Sequence, residues 1–193
     1  MPLTVVAFNG SPRPKGNTYR SLSIVLEELA SQGIGGEIVQ LGGKKLAGCK
    51  SCYRCGKNKD KKCVQTDDDM NYFIERAFKA DGILIGSPVY FSNVSSEVKA
   101  FIDRCGFVAK ANDGMLQGKV GAAVLSVRRA GATFAYSAIN FFFGISEMVI
   151  PCSSYWNLGI GLNPGDVLQD EEGIATFKTL GNNMGALLKQ LHK

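Results

Sequence analysis

Short apolar runs alternate with amphipathic stretches along the chain, in the order expected of strands followed by helices. The first run, residues 3–8, is almost continuously apolar and β-branched, which is typical of a parallel strand buried on both faces. Apolar runs of this kind predict five strands, at 3–8, 36–41, 82–86, 119–127 and 148–150. Apolar residues at helical spacing predict helices at 18–32, 95–105, 133–146 and 170–191. A further helix is predicted to run to about 79, and the aspartates at 67–69 are its candidate N-caps.

This alternation predicts an α/β fold: a doubly wound, three-layer sandwich in which a five-stranded parallel sheet carries helices on both faces. No repeat or linker divides the sequence, so we expect residues 1–193 to form one domain with a cysteine-rich insertion loop at about 43–66. Ligands of such sheets bind at the carboxyl ends of the strands, where the strand order reverses. The loops after the first, third and fourth strands are therefore the candidate site.

Composition narrows the classes of function. The chain has 193 residues, of which 45% are hydrophobic and 20% charged, as in ordinary globular proteins. The sequence contains no run of about 18 apolar residues, so we expect no membrane-spanning helix. It also shows no leader-like segment at its start, so the cytoplasm is the expected location. The single histidine, His192, is next to the last residue, which argues against a catalytic triad, a Cys–His pair or a histidine-ligated metal. We expect the chemistry to be supplied by a cofactor.

Positive charge is concentrated in one loop. The chain carries a net charge of +5, and the segment 44–62 holds eight basic residues against one acid, Asp60. Tyr53 is the one aromatic residue in that segment and no recognition helix accompanies it, so we expect no nucleic-acid partner. The basic loop is either a solvated face or a docking patch for an acidic, ferredoxin-like electron carrier.

The loop after the first strand, residues 10–18, has the features of a phosphate site. It leads into a predicted helix, whose first N–H groups and partial positive charge suit an anion. Ser11, Asn17 and Thr18 add short polar side chains, and Arg13 adds a cation able to make bidentate hydrogen bonds. The Walker A and dinucleotide-binding glycine patterns are both absent, so a monophosphate fits best. The alternative is a solvated turn whose hydroxyl side chains only cap the helix.

Four of the six cysteines lie within fifteen residues, as Cys49-x2-Cys52-x2-Cys55-x7-Cys63. Three cysteines at this spacing can wrap one face of a cubane iron–sulfur cluster, with a fourth ligand from nearby. Zinc sites more often use two separated Cys-x2-Cys pairs. Free or redox-active thiols are the third possibility, because adjacent lysines would lower their pKa. Cys105 and Cys152 lie in apolar sequence and are expected to be packing residues.

Two motifs in their order along the chain resemble a known family. Gly10-Ser11-Pro12-Arg13 is followed by Gly16-Asn17-Thr18, and Gly86-Ser87-Pro88-Val89-Tyr90 comes after the third strand. Together they resemble the flavodoxin-like NAD(P)H-dependent FMN reductase superfamily over almost the whole chain, and the cysteine run is similar to that of its iron–sulfur flavoprotein branch. The resemblance implies FMN as cofactor and Cys49, Cys52, Cys55 and Cys63 as ligands of a [4Fe–4S] cluster. The implied FMN contacts are Ser11, Arg13, Gly16, Asn17 and Thr18 at the phosphate, Pro88, Val89, Tyr90, Phe91 and Asn93 at the ring, and Ser126, Arg128 and Gly131 in the loop that closes the other side.

The resemblance also implies the activity. We expect an FMN-dependent oxidoreductase that passes electrons from NAD(P)H or a reduced carrier, with the cluster as an optional relay, to a small acceptor such as a quinone, flavin, ferric complex or oxygen. No side chain is expected to be catalytic, because flavin N5 carries the chemistry. The third loop holds Arg128 and Arg129 where the family often has glycines, which favours an anionic substrate. The alternative is a non-enzymatic, flavodoxin-like electron-transfer protein, although such proteins are usually acidic.

Aromatic residues outside these loops favour self-association. The segment 141–143 is three phenylalanines, and Tyr155 and Trp156 follow, which is more aromatic surface than a small domain needs to bury. We expect a homodimer or homotetramer, with plain core packing as the alternative.

Overall fold

The computed structural model describes residues 2–192, which form one five-stranded sheet in which every strand pairing is parallel. The strand order is β2-β1-β3-β4-β5. The strands are β1 (Thr4–Asn9), β2 (Gly35–Gln40), β3 (Gly82–Pro88), β4 (Val120–Val127) and β5 (Leu158–Ile160). The order reverses between β1 and β3, so a crevice is expected at the carboxyl ends of these two strands.

Helices cover both faces of the sheet, which confirms the predicted α/β class. Helices α1 and α6 pack on one face, whereas α3, α4 and α5 pack on the other. The helices are α1 (Asn17–Ser31), α2 (Arg54–Asn58), α3 (Met70–Lys79), α4 (Ser96–Ala111), α5 (Ala132–Ile145) and α6 (Glu171–Leu191). No helix within residues 2–192 combines the length and the apolar character needed to cross a bilayer.

Strand β1 shows why its sequence is continuously apolar. Successive side chains of a strand point to opposite faces. Val5 and Ala7 therefore pack under α1 and α6, while Val6 and Phe8 pack under α3–α5, and all four are buried. After Thr4, which begins the strand and is exposed, burial on both faces leaves no position for a polar side chain until Asn9, at the edge where the site forms.

The fifth strand lies ten residues later than predicted. Val149 makes only an isolated parallel bridge with Val120, at the start of β4, and Pro151 then carries the chain away from the sheet. The chain returns as Leu158–Ile160, which pairs with the end of β4. The prediction of a strand at 148–150 is therefore wrong, because three apolar residues before a proline make a bridge but no ladder.

Two smaller predictions also need correction, on the end of α4 and on Cys152. Helix α4 does not end at Cys105 but continues to Ala111, because Gly106 faces the Phe142 ring instead of ending the helix. Helix α3 begins at Met70 with Asp69 as its N-cap residue, which agrees with the prediction, and Asp68 accepts a hydrogen bond from the Met70 N–H while also pairing with Arg104. Cys152 is exposed, so it is not a packing residue, whereas Cys105 is fully buried as expected.

Candidate functional site

A cleft of about 180 Å³ opens at the carboxyl ends of β1, β3 and β4. Nine of the thirteen residues predicted to contact a cofactor line it. They are Ser11, Arg13, Asn17, Thr18, Pro88, Val89, Tyr90, Ser126 and Arg128. The three loops named from the sequence therefore meet at one place, although they are separated by up to about a hundred residues along the chain.

The loop after β1 is held from below by the Asn9 side chain. Asn9 Oδ1 accepts a hydrogen bond from the Ser11 N–H at 3.2 Å, and its Nδ2 donates to Gln40 Oε1 at 2.7 Å. Gln40 Nε2 in turn donates to the Ser11 carbonyl at 2.7 Å. Ser11 Oγ accepts from the Arg13 N–H at 3.2 Å. This network fixes the loop conformation before any ligand is bound.

The first turn of α1 leaves its amides free for a ligand. Gly16 is the N-cap, and no side chain accepts a hydrogen bond from this helix start. Among the described residues, none accepts a hydrogen bond from the N–H of Asn17, Thr18 or Tyr19. Unpaired donors at a helix N-terminus bind anions readily. The alternative in which loop hydroxyls only cap the helix is therefore not what the fold contains.

The segment after β5 forms a wall of the cleft that sequence reasoning missed. Gly161 and Leu162 line it, and Asn17 Oδ1 accepts a hydrogen bond from the Gly165 N–H at 2.8 Å. Arg13 Nη1 donates to the Leu162 carbonyl at 3.4 Å. A Cβ at Gly161 would lie 2.8 Å from Asn17 Nδ2, so this approach requires glycine. The one signal in the sequence was the short Leu-Gly-Ile run at 158–160, just before Gly161. It was not interpreted as a strand because the fifth strand was predicted at 148–150.

The loop after β3 is joined to the β1 loop by two serines. Ser87 Oγ accepts from the Ser95 N–H at 3.0 Å, and Ser95 Oγ donates to the Gly10 carbonyl at 2.8 Å. A Cβ at Gly10 would lie 2.7 Å from the Gly86 carbonyl oxygen, so the glycine allows the two loops to touch. The two loops therefore form one rigid floor for the cleft.

Four predicted contacts do not line the cleft: Gly16, Phe91, Asn93 and Gly131. Tyr90 and Asn93 close a tight turn with two backbone hydrogen bonds of 2.9 Å. Phe91 sits at its tip with φ +46 and a fully exposed ring. Contacts of these four residues with the cofactor stay predictions.

The cleft carries positive charge without compensation. Among residues 2–192, no carboxylate forms an ion pair with Arg13 or Arg128. Together with the free amides of α1, these two guanidinium groups make the cleft suitable for an anion.

A second, smaller cleft brings together the four clustered cysteines. Cys49, Cys52, Cys55 and Cys63 all line it, and all four are free thiols. Burial is the largest influence on Cys55, and it raises the pKa of that thiol. The cleft is narrow, with a volume of about 20 Å³.

Within residues 2–192, no three Cys, His, Asp or Glu side chains stand close enough to hold a single metal ion. A cubane cluster does not require its ligands to meet at one metal ion, because each thiolate binds a different iron atom. Four thiols around one cleft are the donor set that such a cluster takes, so the chemistry of these residues fits it.

A family model described as NADPH-dependent FMN reductase matches residues 3–162 of the chain. An iron–sulfur flavoprotein of Methanocaldococcus jannaschii is 34% identical over 203 residues, covering 99% of this chain and 100% of the relative.

Solved structures show the same fold. RosB, described with a bound riboflavin-5'-phosphate derivative, has 17% identity and a TM-score of 0.75 over 98% of this chain and 80% of its own. An NAD(P)H:quinone oxidoreductase from Methanothermobacter marburgensis has 17% identity and a TM-score of 0.67 over 95% of this chain and 98% of its own.

Proposed function

The chain belongs to the NADPH-dependent FMN reductase family, in its iron–sulfur flavoprotein branch, and from that premise we propose that it is an FMN-dependent oxidoreductase. Its electrons come from NAD(P)H or a reduced carrier and pass to a small acceptor such as a quinone, flavin, ferric complex or oxygen. The observation that carries this proposal is the meeting of the β1, β3 and β4 loops around one cationic cleft.

The FMN phosphate is assigned to the start of α1. The free amides of Asn17 and Thr18, the Ser11 and Thr18 hydroxyls and the Arg13 guanidinium are donors that a phosphate can use. Thr18 and Ser11 are buried and the floor is already hydrogen-bonded, so little ordering is required when the phosphate binds. We assign the tail of the cofactor to this end of the cleft for that reason.

The ring is assigned to the wall made by Pro88, Val89, Tyr90, Ser126 and Arg128. The Val89 N–H is already bonded to the Ser126 carbonyl at 3.1 Å, which ties the two loops of this wall together. Bound FMN supplies hydride acceptance and one-electron transfer. The chain orients the ring and adds positive charge from Arg128, which favours the reduced, more negative state.

We also propose a [4Fe–4S] cluster with Cys49, Cys52, Cys55 and Cys63 as its ligands. The free thiols around one cleft and the name carried by the relatives support it. Lysines and arginines of the basic loop offset the negative charge of four thiolates, and they give an acidic protein carrier a surface to approach.

One preparation tests the function. Purified full-length protein should be yellow, release FMN on denaturation and oxidise NADPH at steady state with a soluble quinone present. Protein that takes up no added FMN overturns the proposal. Protein that binds FMN but exchanges electrons only with a reduced protein donor is a flavodoxin-like carrier and not an enzyme.

A further inference from the structure

We propose that Arg104 is a positioning residue for the cysteine loop: it holds both ends of the loop in place and offers its buried, unpaired Nε–H to the cluster. The inference rests on the cluster assigned under the proposed function. It concerns a residue of α4, outside the cysteine motif and outside the cleft assigned to FMN.

One guanidinium group reaches both ends of the loop. Arg104 Nη1 donates to the Ala47 carbonyl at 3.1 Å, two residues before Cys49. Arg104 Nη2 donates to the Gln65 carbonyl at 2.9 Å, two residues after Cys63. The planar arrangement of these donors lets a single side chain hold two backbone segments at once. The loop is therefore closed by a side chain and not by its own backbone.

The charge of Arg104 is compensated at the same point. The side chain is 0% exposed, and it pairs with Asp68, whose side chain is 4% exposed. Asp68 Oδ2 also accepts a hydrogen bond from the Ala47 N–H at 3.1 Å, so the ion pair and the loop end share their contacts. An arginine buried without such a partner would be strongly disfavoured.

The Nε donor of Arg104 remains unused. Nε is buried and has no hydrogen-bond acceptor, and Arg104 lines the same cleft as the four cysteines. A buried, unpaired donor beside thiol ligands is suited to a sulfur acceptor of the cluster.

This placement has a defined consequence for the cluster. Hydrogen bonds to cluster sulfurs and nearby positive charge stabilise the reduced, more negative state, which raises the reduction potential. The negative charge of Asp68 acts in the opposite direction. Removing either member of the pair should therefore shift the potential, with opposite signs.

The variants separate charge from hydrogen bonding. Arg104→Lys keeps the cation but loses the planar arrangement of donors. A chelator should therefore remove iron from this variant roughly 10-fold faster than from the wild type, which is the effect expected when a hydrogen-bond partner of a metal ligand is lost. Arg104→Gln removes the cation and should lower the cluster potential, whereas Asp68→Asn should raise it. Lys110→Gln, which removes an exposed cation from the same helix, should change neither quantity.

The test uses anaerobically reconstituted full-length holoprotein. Iron per chain, chelator-driven iron loss and the cluster midpoint potential are measured, with FMN content and circular dichroism as controls for folding. Folded variants whose potentials stay at the wild-type value, or shift in the same direction, overturn the role of Arg104. If the Arg104 variants do not fold, the midpoint potential of Asp68→Asn is the test. A potential that is unchanged or lower than that of the wild type overturns the proposed role of Arg104.

The wild-type controls separate this inference from the function. Wild-type protein that binds FMN but no iron overturns the cluster and, with it, the role of Arg104. Wild-type protein that binds no FMN overturns the proposed function itself.

Discussion

Arg104 and Asp68 form an ion pair that is almost completely withdrawn from solvent, with side-chain exposures of 0% and 4%. The surface pair Lys44–Asp69, at the edge of the same loop, leaves about half of each side chain exposed. Exposed pairs contribute little to stability, whereas breaking a buried pair leaves an uncompensated charge. We therefore expect acid to destabilise the cysteine loop through protonation of Asp68 in this buried pair.

The first prediction concerns pH. Burial raises the pKa of Asp68, but hydrogen bonds from Arg104, Ala47 and Met70 outweigh this effect and lower it below 3.8. The stabilisation is therefore complete above the ordinary aspartate pKa and is lost as the pH falls through the lower, folded-state value. Asp68→Asn should cost about 3 kcal/mol at pH 7, and this difference should narrow in acid. Urea unfolding of both proteins between pH 7 and pH 3 measures it, and a constant difference would contradict the expectation.

A second prediction concerns the close packing of the phosphate loop. A Cβ at Gly42 would lie 2.3 Å from the Ser11 carbonyl carbon and 2.5 Å from the Gly10 carbonyl oxygen. Both obstacles are backbone, so Gly42→Ala must displace the loop and should cost about 1–3 kcal/mol as well as weaken FMN binding. Gly144→Ala is the control, because nothing lies within 4 Å of its Cβ position. Thermal unfolding and FMN titration should separate the two variants, and equal behaviour would argue against the packing described.

A third prediction concerns the FMN phosphate. Arg13→Ala removes one charge-assisted hydrogen-bond donor from the cleft, so the Kd for FMN should rise about 10-fold or more. Lys15→Ala removes an exposed cation from the same loop that does not line the cleft, and we expect a change below about threefold. Fluorescence titration of the apoprotein measures both. If riboflavin, which lacks the phosphate, shows the same loss in Arg13→Ala, the assignment of Arg13 to the phosphate is wrong.

Thiol reactivity provides the fourth prediction. Cys105 is fully buried, and burial raises the pKa of its thiol, so it should resist alkylation until the protein unfolds. Cys52 and Cys152 are exposed and should react in protein without iron. In protein reconstituted with iron and sulfide, Cys52 should become protected while Cys152 still reacts. Mass spectrometry of alkylated peptides locates the modified residues, and equal labelling of Cys52 in both preparations would exclude it as a ligand.

The fifth prediction concerns self-association. Phe142 and Phe143 are buried in the core, but Phe141 on the same helix is 75% exposed and Ile145 is 70% exposed. Phe141→Glu should weaken a homo-oligomer built on this face, whereas Lys178→Glu, on a helix of the opposite face of the sheet, should leave it unchanged. Light scattering measures the mass, and a wild-type monomer of 20.7 kDa would contradict the expectation of an oligomer.

The sequence was most informative where a single physical requirement, such as burial on both faces of the sheet, determined the order of apolar and polar residues. Strand β1 is buried on both faces from Val5 to Phe8, so these four residues had to be apolar, and Asn9 marks the point where the strand reaches the site. The convergence of the first, third and fourth loops followed from parallel topology alone. These features need no knowledge of distant contacts.

The missed features depend on contacts between distant segments. Gly161 lines the cleft because it packs against Asn17, and the Leu-Gly-Ile run before it indicates a short strand but not that contact. Asp68 looked like a helix cap, but the buried Arg104, 36 residues away, uses the same carboxylate. Residues 148–150 have the composition of a strand, yet they make only one bridge, to the start of β4. The less apolar Leu158–Ile160 forms the fifth strand, because it pairs with the end of β4 over three residues.

The wall contributed by Gly161–Gly165 has a consequence for synthesis of the protein. Its bonds to Asn17 and Arg13 join positions 148 and 149 residues apart in the chain. A nascent chain emerging from the ribosome therefore completes its first four strands while this wall is still missing. On the proposed function we therefore expect FMN to bind only after this wall has been synthesised, and a chain truncated before the wall should purify without flavin absorbance.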